Sequence, residues 1–395
     1  MNKILLGIDK FITNPPPWAK NKRIGLLCHQ ASLNSKLIHS KILLYKNFPA
    51  KLTCLFSPQH GLFAQKQDNM IESYDVIDDE IGIPVFSLYG KTRIPKEEHL
   101  SLIDIFVVDL QDVGTRVYTY IWTMLLAMKA CAKKNITFVV LDRPNPISGE
   151  IIEGNILEKD LFSFVGLAPI PMRHGMTMGE LALYFKEYEN LDLDLHVIKM
   201  DGWKRKMFFD QTGLYWVWPS PNMPTLDTAI VYPGQVIFEG TNISEGRGTT
   251  KPFEVFGAPF LEPKIFLEFF NKIDINWKEL GFFLRRQDFE PTFNKWKNNY
   301  CYGFQIHVLD RLKFRPYLVS LAILYTIIKT SEKNFSWKSP PYEYEFKKLP
   351  IDLIIGNKEI RTLLKMNDSF NKIIRIIAND LKRFKEIRQK FLLYS

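Results

Sequence analysis

Cysteine is scarce. The 395-residue chain has four, Cys28, Cys54, Cys131 and Cys301, far apart and with no CxxC pair. This excludes a disulfide framework and the common zinc and redox signatures. The first three lie inside apolar runs and read as buried thiols. Long hydrophobic runs are also missing. No stretch of 18 apolar residues occurs, so no transmembrane helix or membrane partner is expected. The apolar stretch after Met1 is too short for a secretory signal, and the expected location is cytoplasmic. Several catalytic signatures are absent. Gly90-Lys91-Thr92 ends like a phosphate-binding loop, but Val85 stands where that loop needs glycine. No GxGxxG follows the first strand, and there is no GxSxG and no HExxH. Dinucleotide binding through that loop, a triad serine and a helix-borne zinc are thereby disfavoured, and no metal or cofactor is called for.

Charge is in excess but not concentrated. Lys and Arg number 52 against 43 Asp and Glu, a formal net charge of +9. No basic run of five or six appears. The densest stretch, Lys382 to Lys390, interleaves acids and apolar residues at helical spacing and reads as a solvated helix face. A nucleic-acid partner is therefore not expected. Oligomeric state is not legible.

What is present is a globular composition, 46% apolar and 24% charged. At roughly 150 residues per domain the length suggests two to three domains. Short apolar runs at residues 23–28, 51–56, 84–88, 105–110, 136–141 and 195–198 read as strands. Helical patterns at 35–46, 117–134 and 177–188 alternate with them, the last opened by a Thr177/Glu180 capping box. This is the signature of an α/β domain with a mostly parallel sheet. From about residue 201 to 259 the chain is rich in Pro, Gly and aromatics, the composition of loops that line a site. A second α+β unit follows, with helices at 263–273, 316–330 and 368–393 and a strand at 303–309.

Polar clusters stand after the strands: Ser57-Pro58-Gln59-His60-Gly61, the run from Asp109 through Asp112 to Arg116, and Asp142-Arg143-Pro144-Asn145. Ligands of open α/β sheets bind beyond the carboxyl ends of strands. Arg173-His174 precedes a helix N-terminus, where cations oppose the dipole unless an anion is bound. Glu239, Asn242, Glu245 and Arg247 share a glycine-rich loop that a ligand can approach closely. Turn chemistry and ion pairing are the structural alternatives for all of these.

Together, Ser57-Pro58-Gln59-His60-Gly61, Ser87-Leu88-Tyr89-Gly90-Lys91-Thr92-Arg93, Asp109-Leu110-Gln111-Asp112-Val113-Gly114, Arg143-Pro144-Asn145-Pro146, Pro171-Met172-Arg173-His174-Gly175-Met176-Thr177, Pro219-Ser220-Pro221-Asn222-Met223-Pro224 and Phe238-Glu239-Gly240-Thr241-Asn242-Ile243-Ser244-Glu245-Gly246-Arg247-Gly248-Thr249 resemble the NamZ-type exo-β-N-acetylmuramidases over nearly the whole chain. The resemblance implies a Rossmann-like catalytic domain (residues 1–225), a smaller C-terminal α/β domain (226–395) and a cleft at their junction. It implies release of terminal N-acetylmuramic acid from the non-reducing end of peptidoglycan fragments, and an N-acetylmuramic acid-containing glycan or muropeptide as partner. It points to a glutamate in the loop after the Ser-Pro-x-His-Gly string, for which Glu72 is the nearest match; residues 62–71 depart from the family's glycine- and alanine-rich pattern. The family commonly has Glu where this chain has Gln59, so a non-catalytic glycan binder is the alternative.

Glycoside hydrolysis uses a protonated carboxyl and a second group on the opposite face. Glu72 is the candidate acid, and Asp112, Glu239 and Glu245 are candidates for the second carboxylate. Arg116, Arg173 and Arg247 are candidates to grip the lactyl carboxylate, with Arg173 first. His60 and His174 are candidates to orient the sugar, and Gln59, Tyr118, Asn222 and Asn242 to bind it.

Overall fold

A computed structural model describes residues 4–67, 70–367 and 370–395. Seven strands form the first sheet, in the order β3-β4-β2-β1-β5-β6-β9. They are β1 (Arg23–Cys28), β2 (Lys51–Ser57), β3 (Val76–Ile77), β4 (Pro84–Ser87), β5 (Ile105–Asp109), β6 (Thr137–Leu141) and β9 (Leu195–Ile198); β7 (Glu153–Ile156) and β8 (Pro171–Arg173) form a separate antiparallel ribbon. Every pairing in the large sheet is parallel except β3 with β4. Parallel strands need cover on both faces, and β5 shows it. Ile105 and Val107 join a core with Phe11, Leu44 and Val139. Phe106 and Val108 join another with Trp122, Phe138 and Phe185. The alternation of side chains along a strand produces the split.

The second core continues without a break into the C-terminal half, through Phe238, Phe256, Phe304, Tyr317, Ile354 and Phe384. There β10 (Val255–Ala258), β11 (Phe282–Arg286) and β12 (Tyr302–Val308) form an antiparallel sheet in the order β10-β12-β11. The C-terminal helix Phe370–Gln389 then packs back on β7. Arg388 donates to the carbonyls of Gly149 and Gly175, and the Tyr394 hydroxyl donates to Asp142 at 2.6 Å.

Several element bounds differ from the expectation. The helix expected at 35–46 is Ser40–Asn47, because the Asn34 carboxamide accepts from the amides of Lys36 and Ile38 and holds a turn instead. The one expected at 117–134 is Tyr120–Ala132, and that at 263–273 stops at Phe270. The start expected for the last helix, residues 368 and 369, lies outside the described residues. The Thr177/Glu180 capping box forms as expected. A helix at Leu226–Gln235 stands where Pro233-Gly234 suggested loop; Pro233 falls near its end.

Candidate active site

The loops after the carboxyl ends of the first sheet meet the C-terminal half in one cleft of about 480 Å³, open mouth included. The first half contributes Gln59 and His60 just beyond β2, Tyr118 to Tyr120 at the start of a buried helix, and Ser220 and Asn222 from the Pro-rich loop. The second half contributes Tyr232, Glu239, Arg247, Phe253, Tyr342 and Glu343. A side arm shares Glu239, Arg247 and Tyr342 and adds Met70, Glu245, Asn294, Lys295 and Lys338.

Glu343 is the cleft residue that the sequence reading passed over. It stands on a tight turn in which Tyr342 and Glu345 exchange both backbone hydrogen bonds. Glu343 and Tyr344 occupy the left-handed region, with φ of 45° and 67°, which costs non-glycine residues energy and often marks function. The Glu343 carboxyl accepts from the Tyr89 hydroxyl at 2.6 Å and from the Gln59 amide at 3.1 Å. Gln59 is oriented in turn by the Thr119 hydroxyl, which donates to its carbonyl oxygen at 2.5 Å. Burial pushes Glu343 up to about 7, with nearby Glu239 adding to the shift, while Tyr89, Gln59 and Arg247 oppose it. A carboxyl poised there can hold a proton at neutral pH and release it to a leaving group. The legible trace of it is Pro340-Pro341-Tyr342-Glu343-Tyr344, a proline- and aromatic-rich loop carrying one acid between two tyrosines.

Ions dominate the other wall. Arg247 pairs with Glu239, whose second oxygen accepts from the Tyr342 hydroxyl at 2.6 Å. The Arg247 Nε lies 3.6 Å from Glu245. Lys295 donates to Glu245 at 2.7 Å and to the carbonyls of Phe238 and Ile243. Burial works against the Glu245 charge, but Lys295 and Arg247 hold the carboxyl below its ordinary value. Gly246 and Gly248, at φ of 79° and 83°, flank Arg247. A Cβ on either would sit 2.6 Å from its nearest neighbour, so the loop needs both glycines.

Of the residues expected at the site, Gln59, His60, Tyr118, Asn222, Glu239 and Arg247 line the cleft and Glu245 lines its arm. Six do not. Arg116 is fully buried and donates to four main-chain carbonyls, those of Asn155, Ile170, Ile354 and Ile355. It ties the two halves together instead of gripping an anion. Arg173 is buried on β8, donates to the Ile147 carbonyl and feels Glu153. Its position ahead of the helix is met by the protein's own groups. His174 is wholly buried; its Nδ1 accepts from the Met176 amide and its Nε2 lies 3.3 Å from Asp112. Asp112 accepts from the Gly114 amide at 2.7 Å and shapes that turn. Asn242 bridges the backbone of Asn334 and Ser336. Glu72 is half-buried near Tyr344, on which its charge acts, and is not among the residues that line the cleft. Among the described residues no cluster with metal-ligating potential occurs.

The sequence matches two family descriptions, exo-beta-N-acetylmuramidase NamZ N-terminal over residues 24–227 and C-terminal over 230–394. The chain belongs to the NamZ family. The peptidoglycan beta-N-acetylmuramidase NamZ of Bacillus subtilis (strain 168) is 45% identical over 393 residues, which is 99% of this chain and 92% of that protein. Two solved DUF1343 family proteins of Bacteroides fragilis share the fold. One has a TM-score of 0.88 at 33% identity and full coverage of both chains. The other has 0.77 at 28% identity, covering 100% of this chain and 99% of its own. The junction cleft of this NamZ-family chain thus brings together two carboxyls of the second half, one protonatable and one ion-paired, the first of them held by Tyr89 and Gln59 of the first half.

Proposed function

We propose that this chain is an exo-acting β-N-acetylmuramidase that releases N-acetylmuramic acid from the non-reducing end of peptidoglycan fragments during cell-wall turnover. The observation that carries the reading is Glu343, a buried carboxyl pushed up to about 7 beside ion-paired Glu239 in the cleft of a NamZ-family chain. Glu343 donates its proton to the departing glycosidic oxygen, the role a raised carboxyl serves in glycoside hydrolysis. Glu239 remains the charged partner for the positive sugar in the transition state. Gln59 has no proton to give; its amide orients Glu343.

A chromogenic β-muramide tests the reading. The wild type should release the chromophore and should leave long glycan strands uncut internally. A purified chain that binds the sugar without turnover would replace the enzyme with a glycan-binding protein. We also place the protein in the cytoplasm, acting on imported or recycled fragments; fractionation that finds a periplasmic or secreted pool would remove that placement.

A further inference from the structure

The arginines first considered for the substrate's anion are all engaged: Arg116 and Arg173 by main-chain carbonyls, Arg247 by Glu239 and Glu245. Arg93 is different. It ends the Ser87-Leu88-Tyr89-Gly90-Lys91-Thr92-Arg93 string, for which the site so far has used only Tyr89. Its guanidinium lies over the Tyr344 ring, 3.5 Å from the centroid, with the rings of Phe164 and Tyr89 at 5.3 and 5.7 Å. Its Nε and Nη2 are buried with no well-aligned hydrogen-bond acceptor among the described residues, and the Tyr344 hydroxyl is buried beside the guanidinium. No ion pair to Arg93 occurs among those residues. Unmade bonds of a buried guanidinium are costly, so donors gathered in this way are stabilised by an acceptor that arrives from outside.

The neighbourhood is that of the reacting carboxyl. Tyr344 follows Glu343 in the chain, Phe164 precedes Val165 of the cleft lining, and the Tyr89 hydroxyl bonds Glu343 directly. The aromatic walls exclude water and keep the guanidinium plane fixed, which favours a planar two-oxygen acceptor. We infer that Arg93, with the Tyr344 hydroxyl, forms a carboxylate subsite that takes the lactyl group of the terminal sugar. The inference rests on the muramidase reading for the identity of that sugar. It makes Arg93 a specificity residue: N-acetylglucosamine lacks the lactyl group and leaves the donors unpaired.

Binding separates this inference from the hydrolytic one. Calorimetry on the full chain with N-acetylmuramic acid and with N-acetylglucosamine gives two affinities that do not depend on turnover. Arg93→Gln should weaken the first by roughly ten- to a hundredfold, the scale of charged hydrogen bonds, and leave the second unchanged. Tyr344→Phe should produce a smaller loss, roughly two- to tenfold, with the same selectivity. Circular dichroism and melting temperature check that each variant is folded. An unchanged preference in folded Arg93→Gln overturns the subsite, and so does an equal loss for both sugars. If the preference collapses in a chain that proves inert on the chromogenic muramide, the subsite stands and the hydrolytic reading falls. If turnover is found and the preference survives Arg93→Gln, only the subsite falls.

Discussion

Glu343 and Glu245 are the same side chain in the same cleft, both removed from water, and their environments move them in opposite directions. Glu343 is surrounded by neutral donors, the phenol of Tyr89 and the amide of Gln59, and burial prevails. Glu245 has Lys295 bonded to it and Arg247 beside it, and the cations prevail. Burial alone therefore does not tell an acid from a structural ion. The formal charge of the partners does. The difference also divides labour between the halves of the molecule: the first half supplies the neutral partners of Glu343, and the second half supplies the ionic wall.

The strongest way to break this division is to remove the central cation. Arg247→Met leaves Glu239 and Glu245 buried with one countercharge, Lys295, between them. Breaking a buried pair in this way costs about 3–5 kcal/mol. Equilibrium denaturation should show that loss, and a loss below about 1 kcal/mol would mean that Arg247 is not what stabilises the acids.

Next comes the acid itself. Glu343→Gln keeps the shape of the protonated form and should lower kcat by roughly a hundredfold or more, the scale of general acid catalysis. Glu72→Gln, by comparison, should change kcat by less than about tenfold, because Glu72 does not line the cleft. Stability should move the other way with pH. The folded carboxyl titrates near about 7 instead of its ordinary 4.5. Its contribution is thus fully present below 4.5 and fades as pH rises through about 7. Glu343→Gln lacks that loss, so it should gain stability relative to wild type between pH 5 and pH 8. Denaturation at those two values checks the sign.

Much of the frame could be read from local sequence because local sequence causes it. β1 and the helix Pro316–Thr330 have the expected bounds, and the Thr177 box forms as written. The ribbon of β7 and β8 could not be read in this way: Glu-Gly-Asn-Ile and Pro-Met-Arg carry no strand pattern and pair only because the fold brings them together. The arginines fail for the same reason. Two of the carbonyls that occupy Arg116 belong to Ile354 and Ile355, more than two hundred residues away. Glu239, Glu245 and Arg247 were legible as two carboxylates and an arginine in one glycine-rich loop, but that Arg247 pairs more closely with Glu239 than with Glu245 was not. Glu343 acquires its character from burial in the assembled cleft, where its hydrogen-bond partners Tyr89 and Gln59 are 254 and 284 residues distant, and local sequence does not encode that burial.

The smallest expected effect sharpens the comparison most. Tyr89 donates at 2.6 Å to the Glu343 carboxyl, a bond that favours the charged form and so holds the group lower than burial alone would. Tyr89→Phe removes that donor but leaves the carboxyl and the ring in place. Glu343 should then titrate higher. Because the reaction needs the protonated form, the alkaline limb of kcat/KM should move to higher pH, while the plateau value falls only a few-fold, on the scale of one lost hydrogen bond. Lys295→Met at the other wall should not move that limb, since Lys295 bonds Glu245 and not Glu343. A pH–rate profile for the three proteins decides it. A limb that stays put in Tyr89→Phe, or moves equally in Lys295→Met, would mean that the titrating group is not the carboxyl that Tyr89 holds.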